Sequence, residues 1–503
     1  MIAGHLPVLE VMLPLLAAPV CALLRRPLLA WGVAAAAAIF ALFGSLILFA
    51  QVLSAGVISY HLGDWAPPWG IEFRLDAANN FVLVIISLIG TVCMIYGRES
   101  IAQEIAQDEQ PLFYTMLLLC FAGMLGVAST GDAFNLFVFL EISSLSSYVL
   151  VAMGASRDKR ALTAAFTYLL LGTIGATFYV IGLGLVYAMT GTLNMADMAV
   201  RIAGMGDSST LRVGFAFIII GFGLKLAVFP LHLWLPNAYT YAPSMVTAFL
   251  AGTATKVAVY ASLRFLYTIF IPGFHFEAQT LQYLFLPLGL AAIFIASIVA
   301  IYQTNVKRLL AYSSVAQAGY FLVGVSFANI GGLMATILHL FNHAIMKSGL
   351  FLAVGCVIYR TGSCSISAFR GLGHKMPWTM AAFVIGGLSM IGIPATAGFI
   401  SKWYLVLAAL ERGWWPVAFA IVVGSLLALF YFGRVIEAAY LQPSPEGSTV
   451  TEAPLSMLAP LWVLTISCLA LGIDSELTVS AARAAAEALF LDLHAGLPGQ
   501  AGP

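Results

Sequence analysis

The chain has 503 residues, 61% of them hydrophobic and only 9% charged, with a formal net charge of zero. So apolar a surface excludes a water-soluble globular fold, and the balanced charge gives no signal for a nucleic-acid partner. Repeated apolar runs of about 20 residues predict an all-α polytopic membrane protein, because helices of that length satisfy their own backbone across lipid.

About fourteen transmembrane helices are predicted from these runs. Helices 1–3 (5–24, 27–54 and 79–97) form an N-terminal group within residues 1–110. The N-terminus lacks the basic segment of a signal peptide, so 5–24 is read as a retained helix. Helices 4–8 (111–129, 132–154, 161–189, 212–234 and 242–270) form a first five-helix unit over 111–271. Helices 9–13 (281–303, 306–328, 332–359, 378–410 and 414–441) form a second over 281–441. Residues 452–503 hold helix 14 (452–474) and a tail expected to make a short Ala-rich surface helix. The segment 442–453, "QPSPEGSTVTEA", reads as a flexible connection. Arg25-Arg26, Arg98, Arg157-Lys159-Arg160, Lys307-Arg308 and Arg370-Lys375 cluster in alternate loops. That bias places those loops in the cytoplasm and both termini outside. Six cysteines at 21, 93, 120, 356, 364 and 468 form no CxxC pattern and read as packing residues.

Charged residues inside the spans are the exception to the pattern. Glu141 lies near the middle of "GDAFNLFVFLEISSLSSYVLV" with no neighbouring cation, so its partner must come from elsewhere in the chain. Four of the seven lysines, Lys225, Lys256, Lys347 and Lys402, also fall inside spans. Each costs roughly 2.5–3.5 kcal/mol at mid-membrane on insertion scales, so an ion path is the default expectation. Burial disfavours an ammonium and a nearby carboxylate restores it, so a Glu141–Lys225 pair that closes and opens would hold and release a proton. A static salt bridge fixing helix packing has the same sequence signature.

Helix 7 carries Pro230 and Pro236 just after Lys225, with His232 between them. Helix 12 carries Pro394 and then Lys402. Proline removes a backbone donor, so both helices are predicted to break. Broken helices in corresponding positions, with Lys and Pro in opposite order, predict two inverted five-helix repeats. His339, His343 and Lys347 recur every four residues along one helical stripe of helix 11, a spacing suited to proton relay. The HxxxH pair has no acidic or cysteine ligand nearby, so no metal is expected. Ser313, Ser314 and Gln317 on helix 10 are candidates for holding bridging water or for helix packing.

The motifs "TGDAFNLFVFLEI", "FPLHLWLPNAYTYAPSMVTAFLAG", "TKVAVYASLR", "KRLLAYSSVAQAGY" and "GIPATAGFISKWYL" resemble the antiporter-like subunits shared by complex I and Mrp-type cation/proton antiporters. The wording is most similar to the D subunit of the Mrp type. The resemblance implies that Glu141 and Lys225 control proton uptake. It implies that Lys256 bridges, that His339, His343 and Lys347 relay, and that Lys402 stands near the exit. Ala395 departs from relatives that carry a second Pro there, and the break is expected to survive it.

The function expected is a proton-translocating subunit of a multisubunit Na⁺/proton antiporter in a bacterial or archaeal cytoplasmic membrane. Its partners would be companion membrane subunits, protons, Na⁺ and the lipid bilayer. The alternative is a pumping subunit of a redox-driven complex, either complex I or a membrane-bound hydrogenase; a scaffold that has lost transport is a third reading. No Rossmann fingerprint, P-loop or cysteine cluster points to a cofactor. Glu141 is taken as the only carboxylate deep in a span and as occupied by Lys225, so the cation route is expected in companion subunits.

Overall fold

The structure, a computed structural model, describes residues 2–206, 208–270, 275–444 and 449–491. Among these, 13 helices are long and apolar enough to cross a membrane. They are helix 1 (Leu6–Leu23), 2 (Pro27–Ala55), 3 (Ala77–Glu104), 4 (Gln110–Ser129), 5 (Ala133–Ala152) and 6 (Arg160–Thr190). Helix 7a (Ser209–Leu226), 8 (Ser244–Arg264), 9 (Leu286–Ile301), 10 (Val306–Ser326) and 11 (Ile330–Thr361) follow, then 13 (Trp415–Tyr440) and 14 (Leu455–Ile473). The remaining predicted span, helix 12, is two shorter helices, 12a (Pro377–Ile391) and 12b (Ala397–Glu411). Helix 7 continues after a gap as the half-helix 7b (Trp234–Tyr241). The protein is thus a polytopic helical membrane protein.

Polar residues set the helix starts. Asp76 caps helix 3 by accepting from the amides of Ala78 and Asn79, and Asn79 returns a bond to the Asp76 amide. Asp132, Asn305 and Asn329 accept amide bonds at the starts of helices 5, 10 and 11. Glycine sets the closest approaches. On helices 6 and 7a, a Cβ at Gly221 would stand 2.7 Å from the Gly175 carbonyl, and one at Gly182 2.6 Å from the Gly214 carbonyl. On helices 9 and 10, a Cβ at Gly319 would stand 2.5 Å from the Gly289 carbonyl.

Helices 8, 10 and 11 are the most enclosed; helix 11 packs against helices 3, 8, 10, 12 and 14. These enclosed helices hold Lys256, Lys307, Lys347, His339 and His343, all buried, so polar groups reach the centre of the bundle.

Four features differ from expectation. A two-stranded antiparallel hairpin, β1 (Ile58–His61) with β2 (Glu72–Leu75), and an amphipathic helix, Met195–Met205, lie in segments read only as loops. Both are too short for a periodic signal to separate from turn sequence. Glu72 ties them together by accepting from the Asn194 side chain at 2.9 Å. The tail does form a helix, Glu476–Leu491, but it is not a free surface helix. Ala482, Ala485, Ala486 and Leu489 are buried, and the helix packs on helices 3 and 11. The connection before helix 14 is pinned at its end. Glu452 accepts from the amides of Trp378 and Thr379 at the start of helix 12a, and its carbonyl accepts from Arg360. Residues 445–448 of that connection, and the chain beyond 491, lie outside the described residues.

Candidate functional site

The ionisable side chains singled out in the sequence fall on helices 5, 7, 8, 11 and 12. At one end of the row, Lys225 Nζ on helix 7a lies 3.1 Å from Glu141 Oε1 on helix 5 and donates to Ser144 Oγ at 2.6 Å. Glu141 and Ser144 are one helical turn apart, so the lysine sits over a single face of helix 5. The pair is not sealed: the Glu141 side chain is 21% exposed. It lies on the outward stripe of helix 5 formed by Phe134, Val138, Leu145 and Val149, all exposed.

Helix 7 breaks directly after Lys225. Ala227 takes a left-handed conformation (φ 58°), and the chain runs non-helically through Pro230 to Leu233. The Leu224 carbonyl at the end of helix 7a accepts from the Trp234 indole at 2.9 Å as well as from the Ala227 amide. Pro236 is not part of the break. It lies in the first turn of helix 7b, where its missing N–H forfeits no helical bond. His232 is buried in the break with its ring on Phe229, and its Nδ1 has no partner among the described residues. It faces Tyr312 of helix 10 and makes no hydrogen bond to the row.

Lys256 on helix 8 is wholly buried, with no carboxylate bonded to it among the described residues. Its Nζ donates to the Ala251 carbonyl and to Thr255 Oγ1. Lys347 on helix 11 is held by the Leu310 carbonyl at 2.6 Å and by Ser313 on helix 10. One turn back, His343 is buried with both ring nitrogens unpartnered among the described residues. Its ring stacks at 5.9 Å on His339. His339 bridges helices 10 and 12b: Nε2 faces Gln317 Oε1 and Nδ1 faces Ser401 Oγ, both at 2.8 Å. With a carboxamide oxygen on Nε2, that nitrogen donates and Nδ1 accepts from the serine.

Lys402 ends the row. The break in helix 12 spans Gly392 to Thr396, with Gly392 at φ 91° and Ala395 at φ 66°. The carbonyls of Met390 and Ile391, released at the end of helix 12a, accept from Lys402 Nζ at 2.8 and 3.2 Å. The ammonium also lies 4.9 Å over the Tyr320 ring. Proline cannot adopt a φ near +66°, so with Ala at 395 the break takes a left-handed turn that a second proline would forbid. The break survives the substitution.

The structure therefore brings Glu141 together with Lys225, stacks His343 on His339, and sets the Tyr320 ring against both His339 and Lys402, while Lys347 is held by helix 10. Lys256 makes no direct bond to any of them among the described residues. Ser144, Ser401 and Tyr320 were not legible, because small polar and aromatic residues are common in membrane helices. Lys307 is grouped in the sequence with the cations of the loops. It is buried in the first turn of helix 10 and donates to the Ala242 carbonyl at the end of helix 7b, 2.6 Å away. The expectation that Glu141 is the only carboxylate deep in a span is wrong. Glu10 of helix 1 is fully buried, and Glu141 is not.

The protein-family model described as "NADH:quinone oxidoreductase/Mrp antiporter, TM" matches residues 130–428, from just before Glu141 to well past Lys402. The chain is 43% identical over 493 residues to the N subunit of the NADH-quinone oxidoreductase of Desulforudis audaxviator, covering 95% of this chain and 97% of the relative. It is 32% identical over 399 residues to the D subunit of the Na(+)/H(+) antiporter of Alkalihalophilus pseudofirmus, covering 79% and 78%. Among solved structures, it is similar to a chain of the Mrp complex from Dietzia sp., with a TM-score of 0.88, 27% identity and 98% of each chain covered.

Proposed function

The chain belongs to the NADH:quinone oxidoreductase/Mrp antiporter membrane family, and from that membership we propose that it is the proton-carrying subunit of a multisubunit Na⁺/proton antiporter. The observation that carries the reading is the row itself: one carboxylate, four lysines and two histidines, buried or nearly so, on helices that are broken beside Lys225 and Lys402. Charged side chains at that depth are retained where they move ions. Protons would pass along Glu141, Lys225, Lys256, Lys347, His343, His339 and Lys402, with His232 serving the break of helix 7. The two-repeat reading is supported by helix 4 packing on 5 as helix 9 packs on 10, and by breaks in the fourth helix of each unit. Arg157, Arg160 and Lys307 gather around one pocket at one end of the bundle, which supports a cytoplasmic assignment for that end.

Companion membrane subunits are part of the proposal. Glu141 lies on the outward stripe of helix 5, and a carboxylate at that depth belongs against protein rather than lipid. A second reading, a pumping subunit of a redox-driven complex, is favoured by the 43% identity to an N subunit over nearly the full length of both chains. The two separate cleanly. Inverted vesicles containing the whole complex, given a sodium gradient and no electron donor, are expected to move protons. Proton movement that appears only with an electron donor would replace the antiporter reading with the redox one. The chain purified alone and reconstituted is expected to show no sodium-driven proton movement; activity matching the whole complex would place both ion routes in this subunit.

A further inference from the structure

Glu10 stands apart from the row. It lies in the second turn of helix 1, outside the family-matched region, and is fully buried. Neither carboxyl oxygen has a hydrogen-bond partner among the described residues. Its side chain lies against helix 2, where a Cβ at Gly44 would stand 4.0 Å from the Glu10 carboxyl carbon.

The elements packed against helix 1 are helices 2 and 4, the turn Ile2–His5 and strand β2. Helices 2 and 4 contain no Asp, Glu, Lys, Arg or His. Their titratable side chains are Tyr114 and Cys120, and helix 1 itself adds Cys21. His5 is engaged by Tyr60 at 2.9 Å. β2 carries Glu72, bonded to Ser59 and Asn194, and Arg74, which has a partner of its own. No ion pair reaches Glu10 among the described residues. A buried carboxylate with neither counter-ion nor donor is unstable, and the same group carrying a proton is neutral. Helix 1 also lacks one backbone hydrogen bond beside it. Pro14, four residues on, has no N–H to give the Glu10 carbonyl.

We propose that Glu10 is a proton-binding site of the N-terminal helices, separate from the mid-membrane row. The carboxyl holds its proton while helix 1 is packed. When helix 1 flexes at Pro14, the O–H bond breaks to water from the nearer membrane face, and the carboxylate takes up a proton again before the slot closes. The site requires no electron or cation transfer, and it stands whether the complex is an antiporter or redox-driven.

The test is infrared difference spectroscopy on the intact complex in membranes at neutral pH, wild type against Glu10→Gln. The wild type is expected to show the carbonyl stretch of a protonated carboxyl group that the glutamine variant lacks. A wild type without that band overturns the proposal. In D₂O the band is expected to shift at least tenfold faster during turnover than at rest. Equal rates, or no shift in either condition, would overturn the exchange step. Pro14→Ala, which returns a donor to the Glu10 carbonyl, is expected to slow the shift severalfold in an otherwise unaltered carboxyl. This keeps the exchange testable if Glu10→Gln fails to assemble, and an unchanged rate would remove Pro14 from the account.

Discussion

At the scale of single residues, the Glu141–Lys225 pair is the most exposed to test. Truncating Glu141 to Ala strands an ammonium that is itself nearly buried, and transport is expected to be abolished with the complex still assembled. Wild-type proton movement in inverted vesicles from that variant would remove Glu141 from the path. A double-mutant cycle with Glu141→Gln and Lys225→Met is expected to return about 1–3 kcal/mol of coupling in thermal stability. A vanishing coupling would mean the two groups act independently. Lys402→Ala is expected to block proton movement, and Lys402→Arg not to restore it, because a guanidinium keeps its proton at neutral pH. Full activity in the arginine variant would show that Lys402 supplies only charge. The lysines and histidines themselves were legible because ionisable residues stand out against an apolar background. Their ligands were not. Ser401, Tyr320 and the carbonyls of Met390 and Ile391 are identified only once helices 10, 11 and 12 are placed side by side.

At the scale of elements, hydropathy located the spans because lipid demands a nearly continuous apolar run, and it missed what lipid does not constrain. The hairpin of β1 and β2 and the helix Met195–Met205 are examples, since their hydrogen bonds run to neighbouring loops. Proline marked the breaks, but only Pro230 and Pro394 sit inside them; Pro236 falls in a helical first turn, where composition alone cannot separate the two cases. Ala395 adopts a left-handed φ of 66° that costs an L-residue roughly 1–2 kcal/mol. Ala395→Gly is therefore expected to raise stability by about 0.5–1 kcal/mol after glycine's added chain entropy, read as a higher melting temperature of the detergent-solubilised complex. A lower one would show that the methyl group packs usefully there. Gly221 lies one turn before Lys225 on helix 7a, with the Gly175 carbonyl where a Cβ would go. Gly221→Ala is expected to push helices 6 and 7a apart at a cost of about 1–3 kcal/mol and to reduce transport by displacing Lys225. Unchanged stability and transport together would mean that the helices part there freely.

At the scale of the whole molecule, the bundle places charge where a soluble protein rarely does: helices 8, 10 and 11, the most enclosed, hold Lys256, Lys307, Lys347 and both helix-11 histidines. The spans and the mid-span depth of the charged set could be read in advance, since both follow from counting residues against membrane thickness. The tail helix packed on helices 3 and 11, and the buried Glu10, could not, because each depends on which helices meet.

The joint in helix 12 has one more implication. Lys402 is bound by two carbonyls that exist as free acceptors only because the helix is interrupted there. The charge on the amine and the stiffness of the joint are then one linked variable. An ammonium cross-links the two half-helices more strongly than a neutral amine does. By reciprocity, whatever straightens or swings helix 12b must weaken the hold on that proton by the same free energy. A mechanical displacement at this joint, from whatever neighbour it comes, is read out directly as proton affinity.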